Sequence, residues 1–190
     1  WVPHLLRQIQ RYPDATYIYY GHADGRYAEL NRLPDGSLEL AIKNDANDGA
    51  VQVSPVTADG QLQAPIPNPE YDPRLRPWYR IATKNQQASW TNIYDFEDPA
   101  PTIGISFVRP YLDDNNVFQG VLGAAFTLAA IKTFLERVQT RHASAMFLMD
   151  TNGKVLANST APPLSPSNNL PLSANQQQTL IKTTINHVLN

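Results

Sequence analysis

TIGISFVRPYLDDNNVFQGVLGAAF, residues 102–126, contains two β-prone runs, TIGISFVRPYL (102–112) and VFQGVLGAAF (117–126), either side of the polar stretch DDNN. β-Branched and aromatic residues suit a pleated, half-buried surface, and Asp and Asn suit a tight turn. The spacing predicts an antiparallel hairpin and makes a sheet the centre of the fold. Upstream, ATYIYYG (15–21) and RYAEL (26–30) flank the turn signal ADGR (23–26), which predicts a second hairpin. PDGS (34–37) turns the chain again, and SLELAIK (37–43) alternates as a half-buried strand. SWTNIY (89–94) adds a further strand. The expected core is an antiparallel sheet of about five strands, the middle of the usual range.

Helical signals bracket that sheet. WVPHLLRQIQRY (1–12) carries Leu5, Leu6 and Ile9 at helical spacing until Pro13 stops it, and it reads as the stub of a longer helix. RPWYRIATKNQ (76–86) predicts a short helix with Pro77 in its first turn, where a missing N–H costs nothing. Leu128, Ile131, Leu135 and Val138 form one face of a helix over 128–139. The polar stretch 44–68, with one weak strand signal (AVQV), reads as a long excursion over the sheet, and 44–88 as a cap above a pocket. After RHASA (141–145), AMFLMDTNGKVLANS (145–159) predicts a separate hairpin, and 173–189 a helix N-capped by Ser173. The expected division is a first module over 1–140 and a second, incomplete one over 141–190.

Chemistry concentrates in YDPRLRPWY (71–79). A guanidinium is a planar fork of donors suited to a carboxylate. Tyr and Trp supply apolar walls with polar tips, and Pro77 beside Arg76 lowers the entropy lost on binding. The bland alternative is an arginine paired internally within an aromatic core.

This order of elements resembles the double Cache family, the extracytoplasmic sensing domains of bacterial transmembrane receptors. YDPRLRPWY (71–79), SWTNIY (89–94), GISFVRPY (104–111) and GVLGAAFTLAAIKTFL (120–135) carry the resemblance. FLMDTNGKVLANS (147–159) is similar to the opening hairpin of the family's membrane-proximal module. The resemblance implies an α+β fold: a PAS-like antiparallel sheet flanked by helices, then a second PAS-like module. It implies that Tyr71, Arg76 and Trp78 hold a ligand carboxylate and that Tyr79 and Tyr94 complete the pocket. The family's strand aspartate, which anchors an amino group, falls at Ala125. Phe96 stands where some relatives carry another acidic residue, with Asp95, Glu97 and Asp98 as the nearby replacements. The resulting expectation is a preference for carboxylates without an α-ammonium, or neutral polar molecules, over amino acids.

Composition narrows the alternatives. The chain has 190 residues, a formal charge of −2 and scattered Lys and Arg, which give no nucleic-acid footprint. With no cysteine, disulfides, thiolate metal sites and Cys nucleophiles are excluded. His4, His22, His142 and His187 lie far apart, without metal-ligand spacing. No GxSxG, Walker A loop or GxGxxG occurs, so neither an enzyme nor a cofactor is expected. No apolar run reaches the ~18 residues of a membrane span. The chain starts at Trp1 and reads as a piece of something longer. The expected role is a small-molecule sensor tethered to the membrane by flanking helices, with dimerisation open. A structural or dimerisation module without a diffusible ligand is the alternative.

Overall fold

In the computed structural model, residues 2–44, 50–57, 59–68, 70–96, 102–139, 146–149 and 155–159 are described. The chain divides into two compact units, Trp1–Phe96 with Gly104–Thr127, and Glu97–Ile103 with Leu128–Asn190. The first begins with α1 (Val2–Arg11) and continues through β1 (Tyr17–His22), β2 (Tyr27–Arg32), β3 (Leu38–Lys43), β4 (Val51–Val56) and β5 (Ile66–Asn68). A short 3₁₀ turn (Pro73–Leu75), α2 (Pro77–Asn85), β6 (Ser89–Trp90), β7 (Tyr94–Asp95), β8 (Ile103–Leu112) and β9 (Phe118–Thr127) follow.

The organising hairpin forms as its sequence requires: β8 and β9 pair antiparallel from Gly104↔Thr127 to Leu112↔Phe118. β9 then pairs with β1. This long-range pairing joins the two hairpins into one sheet of order β5-β4-β3-β2-β1-β9-β8-β6, with β7 also on β8.

The expectation of about five strands is corrected: among the described residues the sheet has nine. Much of the supposed excursion is sheet, because β4 pairs with β3 from Lys43↔Val51 to Leu38↔Val56, and β5 pairs with β4. β4 shows to pattern reading only as the weak signal AVQV because it contains Pro55, which cannot donate to a ladder and confines such strands to sheet margins. SWTNIY is not one strand but two two-residue pieces, β6 and β7.

Residues directly opposite in antiparallel strands share a face, so the register sorts the side chains. Tyr19, Glu29, Gly123 and Val108 form one row, and Tyr17, Ala125 and Ser106 the next. This face packs under Trp78, Tyr79 and Ala82 of α2. On the opposite face, Ile18, Leu30 and Leu40 pack with Leu5 and Ile9, which lie one helical turn apart on α1. Arg32 at the end of β2 donates from Nη2 to the Ile9 carbonyl at 2.6 Å, fixing the helix to the strand.

In the second unit, α3 (Leu128–Gln139) buries Leu128 and Leu135 and packs on β11 (Val155–Asn158). β10 (Phe147–Met149) pairs antiparallel with β11, as the separate hairpin expected over 145–159 requires. The helix expected at 173–189 lies outside the described residues.

Candidate functional site

The loop before α2 is built by its own polar residues. Asp72 caps the 3₁₀ turn, accepting from the Arg74 amide at 2.9 Å. It also takes a forked contact from the Arg74 side chain, Nε to Oδ1 at 2.9 Å and Nη2 to Oδ2 at 2.7 Å. The Arg74 hydrogen bond holds the Asp72 carboxyl below the usual carboxylate range. The Arg74 guanidinium covers Gly25, whose φ of +98° favours glycine. Arg74 is therefore the internally paired arginine of the bland alternative.

Arg76 is placed differently. Its backbone is extended (φ −78°, ψ 149°) at the start of α2, and its side chain is 7% exposed. Nη2 donates to the Asp95 carbonyl at 2.9 Å, and Cζ lies 5.8 Å from the centre of the Tyr71 ring. That ring lies 4.8 Å from Tyr27, and the Tyr71 hydroxyl accepts from Trp78 Nε1 at 3.3 Å. Lys43 Nζ, from β3, donates to the Tyr71 carbonyl at 2.7 Å.

Glycines on the sheet make room for this cluster. A Cβ at Gly21 would lie 2.7 Å from Trp78 Cη2, and one at Gly123 only 2.2 Å from the Tyr19 ring. The Trp78 indole packs on Tyr19 at 4.5 Å and on Tyr79 at 5.5 Å between ring centres. At the β8 end, Tyr94 and Ser106 share a hydrogen bond of 2.7 Å. Phe96 packs against Tyr17 (5.2 Å) and Tyr94 (4.9 Å).

The structure thus brings Tyr71, Trp78, Tyr79, Tyr94, Phe96 and Ala125 into one aromatic cluster, with Arg76 against Tyr71. Ala125 is buried at its floor, opposite Tyr17 and Ser106. Glu97 and Asp98 lie outside the described residues, and the Asp95 side chain is exposed.

Four polar residues of this face were not legible as site residues: Tyr19, Tyr27, Glu29 and Ser106. Tyr27 donates its hydroxyl hydrogen to Glu29 Oε2. The Tyr19 hydroxyl lies buried beside Tyr94 and Ser106. Burial pushes the hydroxyls of Tyr19, Tyr27 and Tyr71 well above their ordinary pKa and that of Tyr94 up to about 12. For Tyr27 and Tyr71 the Glu29 charge is the second cause. These hydroxyls stay neutral and able to donate at any physiological pH.

A groove of ≈ 540 Å³ opens at the end of the sheet, lined by Tyr20, His22, Arg26, Lys43, Tyr111 and Gln119 among others. Its polar groups are engaged within the protein: His22 and Arg26 on Asp24, Gln119 on Asp113, and Lys43 on Tyr71. Ligand sites combine apolar walls with a few convergent polar groups, and the Arg76 cluster meets that description better. Among the described residues, no group of three His, Asp or Glu stands together as a metal site. No helix there is long and apolar enough to cross a membrane.

No protein-family model matches this chain, and no curated protein matches it. Solved structures do. Methyl-accepting Chemotaxis protein X superposes with a TM-score of 0.59 at 20% identity, covering 95% of this chain and 63% of that one. The ligand-binding domain of the Pseudomonas aeruginosa amino acid chemoreceptor PctC, in complex with GABA, superposes with a TM-score of 0.50 at 17% identity. That match covers 90% of this chain and 56% of PctC's, so the chain spans less than two thirds of either structure. At these identities the likeness is one of fold. The chain has the Cache-type α+β fold of chemoreceptor ligand-binding domains.

Proposed function

We propose that this chain is the extracytoplasmic ligand-sensing part of a bacterial transmembrane receptor, and that its first module binds a small carboxylate-bearing or polar metabolite without catalysis. The observation that carries the reading is Arg76: a guanidinium 7% exposed, held against an aromatic cluster by a backbone carbonyl and a tyrosine ring. A desolvated, oriented fork of donors is a carboxylate receiver. The neutral hydroxyls of Tyr71 and Tyr94 are the further donors of the site.

Binding acts on the receptor through differential affinity for two arrangements of the sheet and its helices. The element placed to move is α1, packed on the strands that carry the site on their other face. The tether is supplied by flanking membrane helices, and the signal passes to an output domain.

The test is a thermal-shift screen of amino acids, dicarboxylates, short-chain acids and purines. A ligand at one hundred times its Kd stabilises by about 2.7 kcal/mol. Arg76→Ala should abolish that shift for the ligand found. A second reading, a structural module with no diffusible ligand, is favoured by the burial of Trp78 (2% exposed) and Ala125 (1%) beneath the cluster's own rings. It predicts no hit in the screen.

A further inference from the structure

The groove at the end of the sheet, where β1 turns into β2, has a volume of ≈ 540 Å³. That lies within the roughly 300–1,000 Å³ typical of small-molecule sites. One wall is apolar: Tyr20, Ala28 and Ile42 stand directly opposite one another across β1, β2 and β3. The Tyr20 ring meets Tyr111 edge-on, with 5.9 Å between centres. The lining also holds two cations, Arg26 just before β2 and Lys43 at the end of β3. Hydrogen bonding in the groove is unbalanced. The acceptors are taken: Asp113 Oδ1 accepts from the amides of Asn115 and Val117, both at 2.9 Å, and Oδ2 from Gln119 at 2.8 Å. Asp24 accepts from Arg26 Nε at 2.8 Å and lies 2.7 Å from His22 Nδ1. The cationic donors are not used up. Arg26 gives Asp24 one of the five N–H groups of a guanidinium, and among the described residues its terminal nitrogens have no hydrogen-bond partner. Lys43 gives the Tyr71 carbonyl one N–H of three.

We infer that this groove is a second ligand site, separate from the Arg76 cluster, and that it takes a monocarboxylate with an apolar body, an aryl or branched-chain acid. Donors left over on two cations call for an acceptor, and a guanidinium suits a carboxylate in particular. The wall of Tyr20, Ala28 and Ile42 calls for carbon, since apolar surface is stabilised by leaving water and a second charge there would lose its hydration. The inference goes beyond the reading of Arg76 and does not depend on it.

The experiment titrates benzoate, phenylacetate and isovalerate into isotope-labelled protein and follows assigned backbone amide resonances. Each acid is compared with its neutral amide and with acetate, an acid without the apolar body. At least one of the three acids should give saturable shifts at residues 20–28 and 42–44. Its Kd should be at least about tenfold tighter than that of its amide or of acetate. Arg26→Gln changes a side chain that is 49% exposed, so the variant should keep the dispersed spectrum of a folded chain and bind the acid about tenfold or more weakly. Lys43→Gln should weaken it likewise. Saturable shifts confined to 71–79 and 94–106 put the acids in the Arg76 cluster and overturn the inference. It is also overturned if the amide or acetate binds as tightly as the acid, if either substitution leaves the affinity untouched, or if no saturable shift occurs.

Discussion

Gly123→Ala tests whether the sheet face is shaped around the Tyr19 ring. An alanine Cβ at 123 would stand 2.2 Å from Tyr19 Cε2, 2.5 Å from Cζ and 2.8 Å from the hydroxyl. The ring must move by about an ångström to restore ordinary contact, and interiors packed to crystal density give little room. Retreat toward α2 is blocked, since Trp78 lies 4.5 Å from the Tyr19 ring centre and itself fills the space over Gly21. Overpacking of this kind costs about 1–3 kcal/mol. Removing glycine's freedom in the unfolded chain offsets about 0.4–1 kcal/mol of it. The net expectation is a loss of about 1–2 kcal/mol. Urea unfolding followed by tryptophan fluorescence reads this as a lower midpoint at constant slope. The decisive control is the Tyr19→Ala background, where no ring opposes the new methyl and the substitution should be neutral or stabilising. The coupling energy of the cycle should fall within the ~0.5–3 kcal/mol seen for contacting residues. An equal cost in both backgrounds, or none in either, refutes the account of the cluster as ring-on-glycine packing.

The two arginines should separate cleanly. Arg74→Ala breaks an ion pair with 45% of the arginine exposed, so stability should fall by about 0–1 kcal/mol in chemical denaturation and ligand affinity should hold. Arg76→Ala should eliminate binding measured by calorimetry on protein that still melts cooperatively. Alkaline pH should destabilise the first unit. Burial raises Tyr94 to about 12 in the folded chain, against about 10 unfolded, so the unfolded chain loses that proton first. Stability is then fully present below about pH 10 and is lost as pH rises toward 12, by about 1.4 kcal/mol per unit for each such tyrosine. Denaturation midpoints at stepped pH check this, and a flat profile contradicts the burial. Hydrogen exchange should be slowest in β1 and β9, paired on both sides, and fast in the three-residue edge strand β5.

Much of the fold was legible because its strands are half-buried. β1, β2, β3, β8 and β9 each join β-formers to a turn signal, and all appear close to the expected limits. α1 and α3 follow from apolar residues at helical spacing. β4 shows in the sequence only as the weak signal AVQV, and β5 not at all, because they lie at a sheet margin, where partial exposure weakens alternation and proline is tolerated. The site divides in the same way. Tyr71, Arg76, Trp78 and Tyr79 announce themselves because a rigid loop dense in aromatics around an arginine has few structural uses. Glu29 and Tyr19 do not. Each sits in an ordinary strand, and its importance depends on which face the register turns inward, a property of the partner strands and not of the residue. The alternation YIYY did contain the clue, since it puts Tyr17 and Tyr19 on one face and Ile18 and Tyr20 on the other.

β2 joins the two halves of the sensor reading. Tyr27 and Glu29 look toward the Arg76 cluster, while Leu30 packs with α1 and Arg32 bonds the Ile9 carbonyl. β2 is therefore a strand whose one face lies toward the cluster and whose opposite face is tied to the helix by both apolar packing and a hydrogen bond. β1 repeats the arrangement, with Tyr19 on the site side and Ile18 on the helix side. Close-packed layers do not deform smoothly, so a small shift of β1 and β2 must be taken up by α1 as a displacement of the whole helix. A single sheet thickness separates the Arg76 cluster from α1.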